Sequence, residues 1–367
     1  MTIGRLKIFF VSLLFVILIF EMMVRGFKLF PNYGYPDGMY VADSLLGYRL
    51  QANFSGKFIG PEFQTAIKTN SVGLEDVEFG KKEIGEYRIL ALGDSFTWGA
   101  YGVRPQENFL KVLEKELNAK YPQHLIRVIN SGVPGYGTAQ ELLYLKSRGI
   151  ELLPDMIIVN FCVENDFFEN AAIRKLGVNA RGQLTLNSVG SWRATLLEYS
   201  HAYRFIDRGM GSLVARLAPE KFIFNQQPWP AAKELFTHSE DPHFEQAKTE
   251  TLKALEDLRR FCEDSKISLV IVLIPSKYQV DRHLQKIFIT KAKLDKTNVD
   301  FTKPQRIISA WAFDHHVVVI DLLPGLKEKN KNNDFYWPLN AHFNTAGNQH
   351  VGQILFKELN TLISFKQ

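Results

Sequence analysis

The chain has 367 residues, 46% of them hydrophobic and 23% charged, and carries a formal net charge of +5. Those proportions belong to an ordinary globular protein and exclude a dominantly disordered one. Its 44 lysines and arginines are scattered without a basic run, which argues against nucleic acid as a partner.

Arg5 and Lys7 precede an apolar run from Ile8 to Val24, broken only by Ser12 and Glu21. These 17 residues sit at the short end of what crosses a bilayer, and no A-x-A pattern follows to mark a cleavage site. Residues 1–28 therefore read as an uncleaved single-pass transmembrane anchor, with the lipid bilayer as one partner. Glu21 and Arg25 stand one turn apart, a favourable pair at the membrane interface. Flanking charges differ little across the run; we place the N-terminus in the cytoplasm and the body on the periplasmic or extracellular side. Cys162 and Cys262 leave the compartment open, and Cys162 at an apolar strand end reads as a packed thiol.

Residues 29–87 are rich in glycine, proline and aromatics, with alternating pieces such as Gly47–Gln51 and Phe63–Lys68. They form a small β-rich lead-in segment. From Arg88 onward a βα alternation takes over, with strands expected at Arg88–Leu92, Ile126–Asn130, Met156–Phe161, Ser268–Ile274 and Val317–Asp321. These are short, nearly continuous apolar runs, as parallel strands covered on both faces require. Phe109, Leu113 and Leu117 repeat every four residues behind Pro105, which starts a helix. Thr138 and Glu141 match a capping box whose helix closes at Gly149. Pro304 belongs in the first turn of another helix, and a last helix runs from Thr345 to Leu359. The fold class is thus α/β: a three-layer α/β/α sandwich with a mainly parallel five-stranded sheet, spanning residues 88–367. An insertion at 171–242 follows the third strand, carries a loop at Asn225–Pro230, and is expected to hang over the site.

Function is read from strand ends. Arg88-Ile-Leu-Ala-Leu-Gly-Asp-Ser95 is a strand that stops at Gly93 and exposes a serine just beyond its carboxyl end, where ligands of open α/β sheets gather. With a base to take its proton, that hydroxyl becomes a nucleophile. His342, in a loop opening the last helix, is the candidate base. Taken singly, Ser95 also fits a helix cap, Gly132 a turn and Asn165 a loop cap.

Gly93-Asp-Ser-Phe96 resembles the nucleophile block of the SGNH (GDSL-type) hydrolases, which carry serine, glycine, asparagine and histidine in four ordered blocks. Asn130-Ser-Gly-Val-Pro-Gly-Tyr-Gly137 is similar to the second and places the glycine at Gly132. Phe161-Cys-Val-Glu-Asn-Asp166 places the asparagine at Asn165, and Asn340-Ala-His-Phe-Asn344 the histidine at His342. The resemblance covers residues 88 to 360. It implies acyl transfer: Ser95 attacks an ester carbonyl, and the oxyanion is met by the N–H groups of Ser95 and Gly132 and the amide of Asn165.

The family commonly has an aspartate two or three residues before the histidine; Asn340 and Leu339 stand there instead. Three readings stay open. Asn340 orients His342 in a slower enzyme, Asp334 folds back as the acid, or turnover is lost and binding kept. Neither metal nor other cofactor is expected: His315-His316 has no ligand spacing, and the G-x-x-G-x-G of Gly132–Gly137 is not the dinucleotide fingerprint. The expected activity is a membrane-anchored extracytoplasmic serine esterase or acyltransferase acting on acyl esters, acetyl groups of cell-envelope glycans among them. The alternative is a catalytically weak or inactive SGNH-fold glycan-binding module.

Overall fold

The computed structural model describes residues 3–27, 34–60, 62–170, 176–186, 192–218, 229–238, 241–329, 335–363 and 365. A first helix, Ile3–Gly26, contains the expected apolar run; an 18-residue window within its Gly4–Gly26 stretch has a mean hydropathy of 2.5, and the stretch is long and apolar enough to cross a membrane. Two hairpins follow, β1 (Tyr40–Asp43) with β2 (Gly47–Leu50) and β3 (Ser55–Ile59) with β4 (Gln64–Lys68). β4 alternates as a half-buried strand should: Thr65 and Ile67 point inward, and Gln64, Ala66 and Lys68 outward.

The main sheet begins with β5 (Glu86–Gly93), β6 (Leu125–Asn130) and β7 (Met156–Cys162). A short hairpin, β8 (Leu176–Val178) and β9 (Leu184–Leu186), intervenes before β10 (Ser268–Ile274) and β11 (Val318–Asp321) complete it. Its five strands run parallel in the order β11-β10-β7-β5-β6. Every residue of β5 and β7 is buried, so continuous apolar runs there reflect cover on both faces. Leu90 and Leu92 pack on one side with Leu145, Phe244 and Leu258 of helices Thr138–Ser147 and Pro242–Asp264. Ile89 and Ala91 pack on the other with Phe109, Leu113, Val351 and Leu355 of helices Phe109–Lys120 and Thr345–Leu359. The result is the three-layer sandwich.

Strand order places the site. The chain leaves β5 for β6 on one side, then crosses back to β7 on the other. The loops after β5 and β7 therefore diverge, leaving a crevice at their carboxyl ends.

Local differences from the sequence reading have local causes. Pro105 opens a single 3-10 turn, and the α-helix begins four residues later, at Phe109, because Asn108 Oδ1 caps the Leu110 N–H at 2.8 Å. The Thr138–Glu141 capping box does not form. Gly137 is the cap residue without a side-chain bond, and Glu141 turns into the interior instead. Gly149 starts a 3-10 turn rather than closing the helix. Trp229 and Pro230, expected in a loop, open the helix Trp229–Phe236; residues 225–228 lie outside the described residues. The described part of the insertion grips the lead-in. Gly38 N–H donates to Arg181 O at 2.7 Å and Tyr40 N–H to Gly182 O at 3.0 Å.

Candidate active site

β5 ends at Gly93 and passes at once into one helical turn, Ser95–Trp98, which Asp94 Oδ1 caps by accepting the Phe96 N–H at 2.8 Å. The turn closes at Gly99 in the left-handed conformation, so the helix dipole behind Ser95 is that of a single turn. As its first residue, Ser95 keeps a backbone N–H with no partner among the described residues.

Across the crevice, His342 Nε2 lies 2.8 Å from Ser95 Oγ, and His342 Nδ1 lies 2.6 Å from Asn340 Oδ1. An amide oxygen only accepts, so Nδ1 carries the proton and Nε2 presents its lone pair to the Ser95 hydroxyl. Asn340 Oδ1 also accepts the His342 backbone N–H at 3.0 Å, which locks the loop that holds both residues. Tyr101 stacks on the imidazole with ring centroids 3.5 Å apart and planes within 6°, and Phe96 lies at 4.7 Å. Burial against these rings pushes the imidazole down to a pKa of about 3. Asp334, the alternative acid, lies outside the described residues.

Four residues that no motif pointed to hold this loop in place. Trp337 Nε1 donates to Tyr101 O at 2.6 Å, and Lys277 Nζ donates to Trp337 O at 2.7 Å and Pro338 O at 2.8 Å. Glu62, from the lead-in, accepts the Leu339 N–H at 2.7 Å. The lead-in thus supports the site although it supplies none of the four blocks.

Gly132 does not present its N–H to the crevice. Asn130 Oδ1 accepts that N–H at 3.0 Å, and a Cβ on residue 132 would lie 2.3 Å from the Trp98 nitrogen. Glycine is required there so that two backbones can touch. Replacing it by alanine should therefore cost at least about 2 kcal/mol, since neither backbone can yield, and a thermal melt reads that loss directly; an unchanged melting temperature refutes the close-packing account. Three residues on, in the same loop after β6, Gly135 is half-buried and its N–H has no partner among the described residues. The second glycine of the Gly132–Gly137 pattern was the available signal for it.

Asn165 follows β7 and reaches the crevice, but both hydrogens of its amide are engaged, by Asp94 Oδ2 at 3.0 Å and Glu169 Oε2 at 2.7 Å. A belt of carboxyls lies around it. Burial, reinforced by Asp94, raises Glu169 to about 8 and Glu164 to about 7, and holds Glu141 and Asp166 well above the usual carboxylate range. Oxygens of Asp94, Asp166 and Glu169 lie within 4.8 Å of one another, as do the ligand atoms of Glu234, Asp241 and His243 at the surface. In the first group the Asn165 amide bridges two of the three carboxyls. His350 stacks on Phe335 and His315 on Trp311, which are packing roles.

The fold and site define an α/β/α sandwich with a serine–histidine–asparagine line at its topological switch point. No family model matches the chain, and no curated protein sequence does. Among solved structures it is similar to a two-domain esterase active on acetylated mannans, at 12% identity and a TM-score of 0.42, covering 77% of this chain and 53% of that one. The chain thus spans about half the length of that protein. It is also similar to a GDSL-like lipase from Bacteroides thetaiotaomicron (11% identity, 78% and 93% covered, TM-score 0.39). A third is a catalytic mutant of an acetylxylan esterase from Geobacillus stearothermophilus (13%, 79% and 99%, TM-score 0.43). Each likeness is one of fold.

Proposed function

We propose that this protein is an SGNH-type serine esterase or acyltransferase, held at a membrane by its N-terminal helix, that acts on acyl esters outside the cytoplasm. The 2.8 Å contact between Ser95 Oγ and His342 Nε2, with Asn340 on the other ring nitrogen, carries this reading. Ser95 is the nucleophile, His342 the base, and Asn340 the residue that fixes the tautomer.

In the reaction, Ser95 Oγ attacks the ester carbonyl while its proton passes to His342 Nε2. The oxyanion is met by the N–H groups of Ser95 and Gly135, and by the Asn165 amide once it releases one carboxyl partner; a donor of this kind is worth about 3 kcal/mol in the transition state. The alkoxide leaves with the proton from His342, and the acyl group stays on Ser95. Water then yields an esterase, and a sugar hydroxyl an O-acyltransferase. A cell-envelope glycan bearing acetyl groups suits a membrane-held enzyme of this kind. Asn340 favours a second reading, a glycan-binding module with little turnover, because it offers the imidazolium no charge.

Covalent labelling separates the two. A fluorophosphonate should add to Ser95, as mass spectrometry of the peptide will show; an unlabelled Ser95 in folded protein assigns the binding module.

The carboxyl belt sets the alkaline limit. Glu169, raised to about 8, is neutral below that pH and ionises above it, placing a negative charge against the Asn165 amide. The value of kcat/KM should fall as pH rises through about 8. In Glu169→Gln, which keeps the acceptor and removes the titration, that fall should vanish. An unchanged alkaline limb excludes Glu169 as its source.

A further inference from the structure

The helix Ile3–Gly26 divides into two parts: residues 4–19 are exposed throughout, while Val24 is buried and Phe20 and Glu21 are partly so. The buried part docks on the insertion. The Glu21 carboxylate accepts the Ser200 hydroxyl at 2.8 Å, the His201 N–H at 2.9 Å and the Ala202 N–H at 2.8 Å. It thereby satisfies the orphan N–H groups that open helix His201–Leu217. Arg25 donates to Glu21 at 2.5 Å and to Tyr199 O at 2.7 Å, and Phe20 meets Phe205 edge to face at 6.1 Å.

That second helix is built the wrong way round for a water-soluble surface. Ile206, Met210, Leu213 and Leu217 recur at spacings of four, three and four, so they form one stripe, and they are 46% to 75% exposed. Ala202, Arg204 and Ala215, off that stripe, are the buried residues. The preceding helix, Trp192–Tyr199, repeats the arrangement: Trp192 is 70% and Tyr199 64% exposed, with Leu196 between them.

We propose that residues 192–217 form an interfacial platform whose apolar stripe lies in the lipid bilayer that the N-terminal helix enters. The occupant follows from continuity. The platform is bolted to the apolar helix at residues 20–25, where the exposed membrane-crossing stretch ends, so it stands at the depth of the membrane surface. An amphipathic helix with an outward apolar face binds in that plane, and tryptophan and tyrosine belong at its edge. The consequence is a fixed posture: the domain is held against the membrane at two places instead of turning on a tether.

The test is nitroxide accessibility on the full chain in phosphatidylcholine–phosphatidylglycerol vesicles. Single cysteines replace Ile206, Met210, Leu213 or Leu217, with Leu14 as the anchor reference and Arg216 and Thr361 as exposed polar references; the native Cys162 and Cys262 are buried. Labels on the stripe should lose collisions with a water-soluble nickel chelate and keep those with oxygen, as at Leu14, while Arg216 and Thr361 stay open to nickel. Nickel access on the stripe equal to that at Thr361, with Leu14 in lipid, overturns the platform alone. Shielding from both reagents assigns the stripe to a protein contact and overturns it too. Aqueous readings at Leu14 and on the stripe overturn both the anchor and the platform.

Discussion

His342→Ala should lower kcat/KM toward a simple acetyl ester by about four orders of magnitude or more, and should abolish fluorophosphonate labelling of Ser95. With Nε2 at 2.8 Å, His342 is the base in reach of the Ser95 hydroxyl. The competing neighbour, Asp94 Oδ2, stands at 3.4 Å. It also caps Phe96 through its other oxygen and bridges to Asn165, so it is committed to structure. Alanine leaves a gap between Tyr101 and Phe96, and a folding control is needed. Circular dichroism and the melting temperature of His342→Gln, which fills the same space without a ring base, supply it. Folded variants that still label at the wild-type rate would remove histidine from the mechanism.

Asn340→Asp should raise kcat/KM at neutral pH by about tenfold or more, because a carboxylate beside an imidazole favours its cation by roughly one to three pKa units. The amide in this position performs half of an aspartate's task. Its oxygen already sets the tautomer through the 2.6 Å contact with Nδ1, so the gain comes from charge alone and falls short of the roughly 10⁴ lost when an aspartate is neutralised in a serine protease triad. The pH profile gives the sign. A histidine pushed down to about 3 stays neutral, and able to accept a proton, at every pH above that value. The wild-type acid limb should therefore lie near pH 3, and in Asn340→Asp it should move up by roughly one to three units. Glu62 moderates the gain, because its carboxyl lies against the same loop and disfavours a second negative charge. Equal rates and equal acid limbs in the two proteins would deny Asn340 its orienting role.

The two predictions together separate a slow enzyme from a binding module. A slow enzyme loses its remaining rate in His342→Ala and gains in Asn340→Asp. A binding module is indifferent to both.

Much of this architecture is legible in the residues themselves. The five strands are continuous apolar runs, and such runs are local, so their existence and nearly their ends follow from sequence. The apolar N-terminal run, Glu21 one turn before Arg25, and the final helix from Thr345 belong to the same class of signal. Ser95 and His342 are candidates from sequence too, one just beyond a strand end and the other in the loop before the last helix, while sequence alone left Asn340 one of three readings. The tertiary structure alone decided how the strands are ordered, and with that where the crevice opens. It decided that the Gly132 N–H bonds to Asn130, that the Gly135 N–H has no partner among the described residues, and that both hydrogens of the Asn165 amide face carboxyls. It also brought Tyr101, Lys277 and Glu62 around the histidine loop from three separate segments. The physical reason is common to all of these. Apolar periodicity is a property of neighbours along the chain. The direction of an N–H or an amide depends on the backbone path and on partners tens to hundreds of residues away, as in the 247-residue separation between Ser95 and His342.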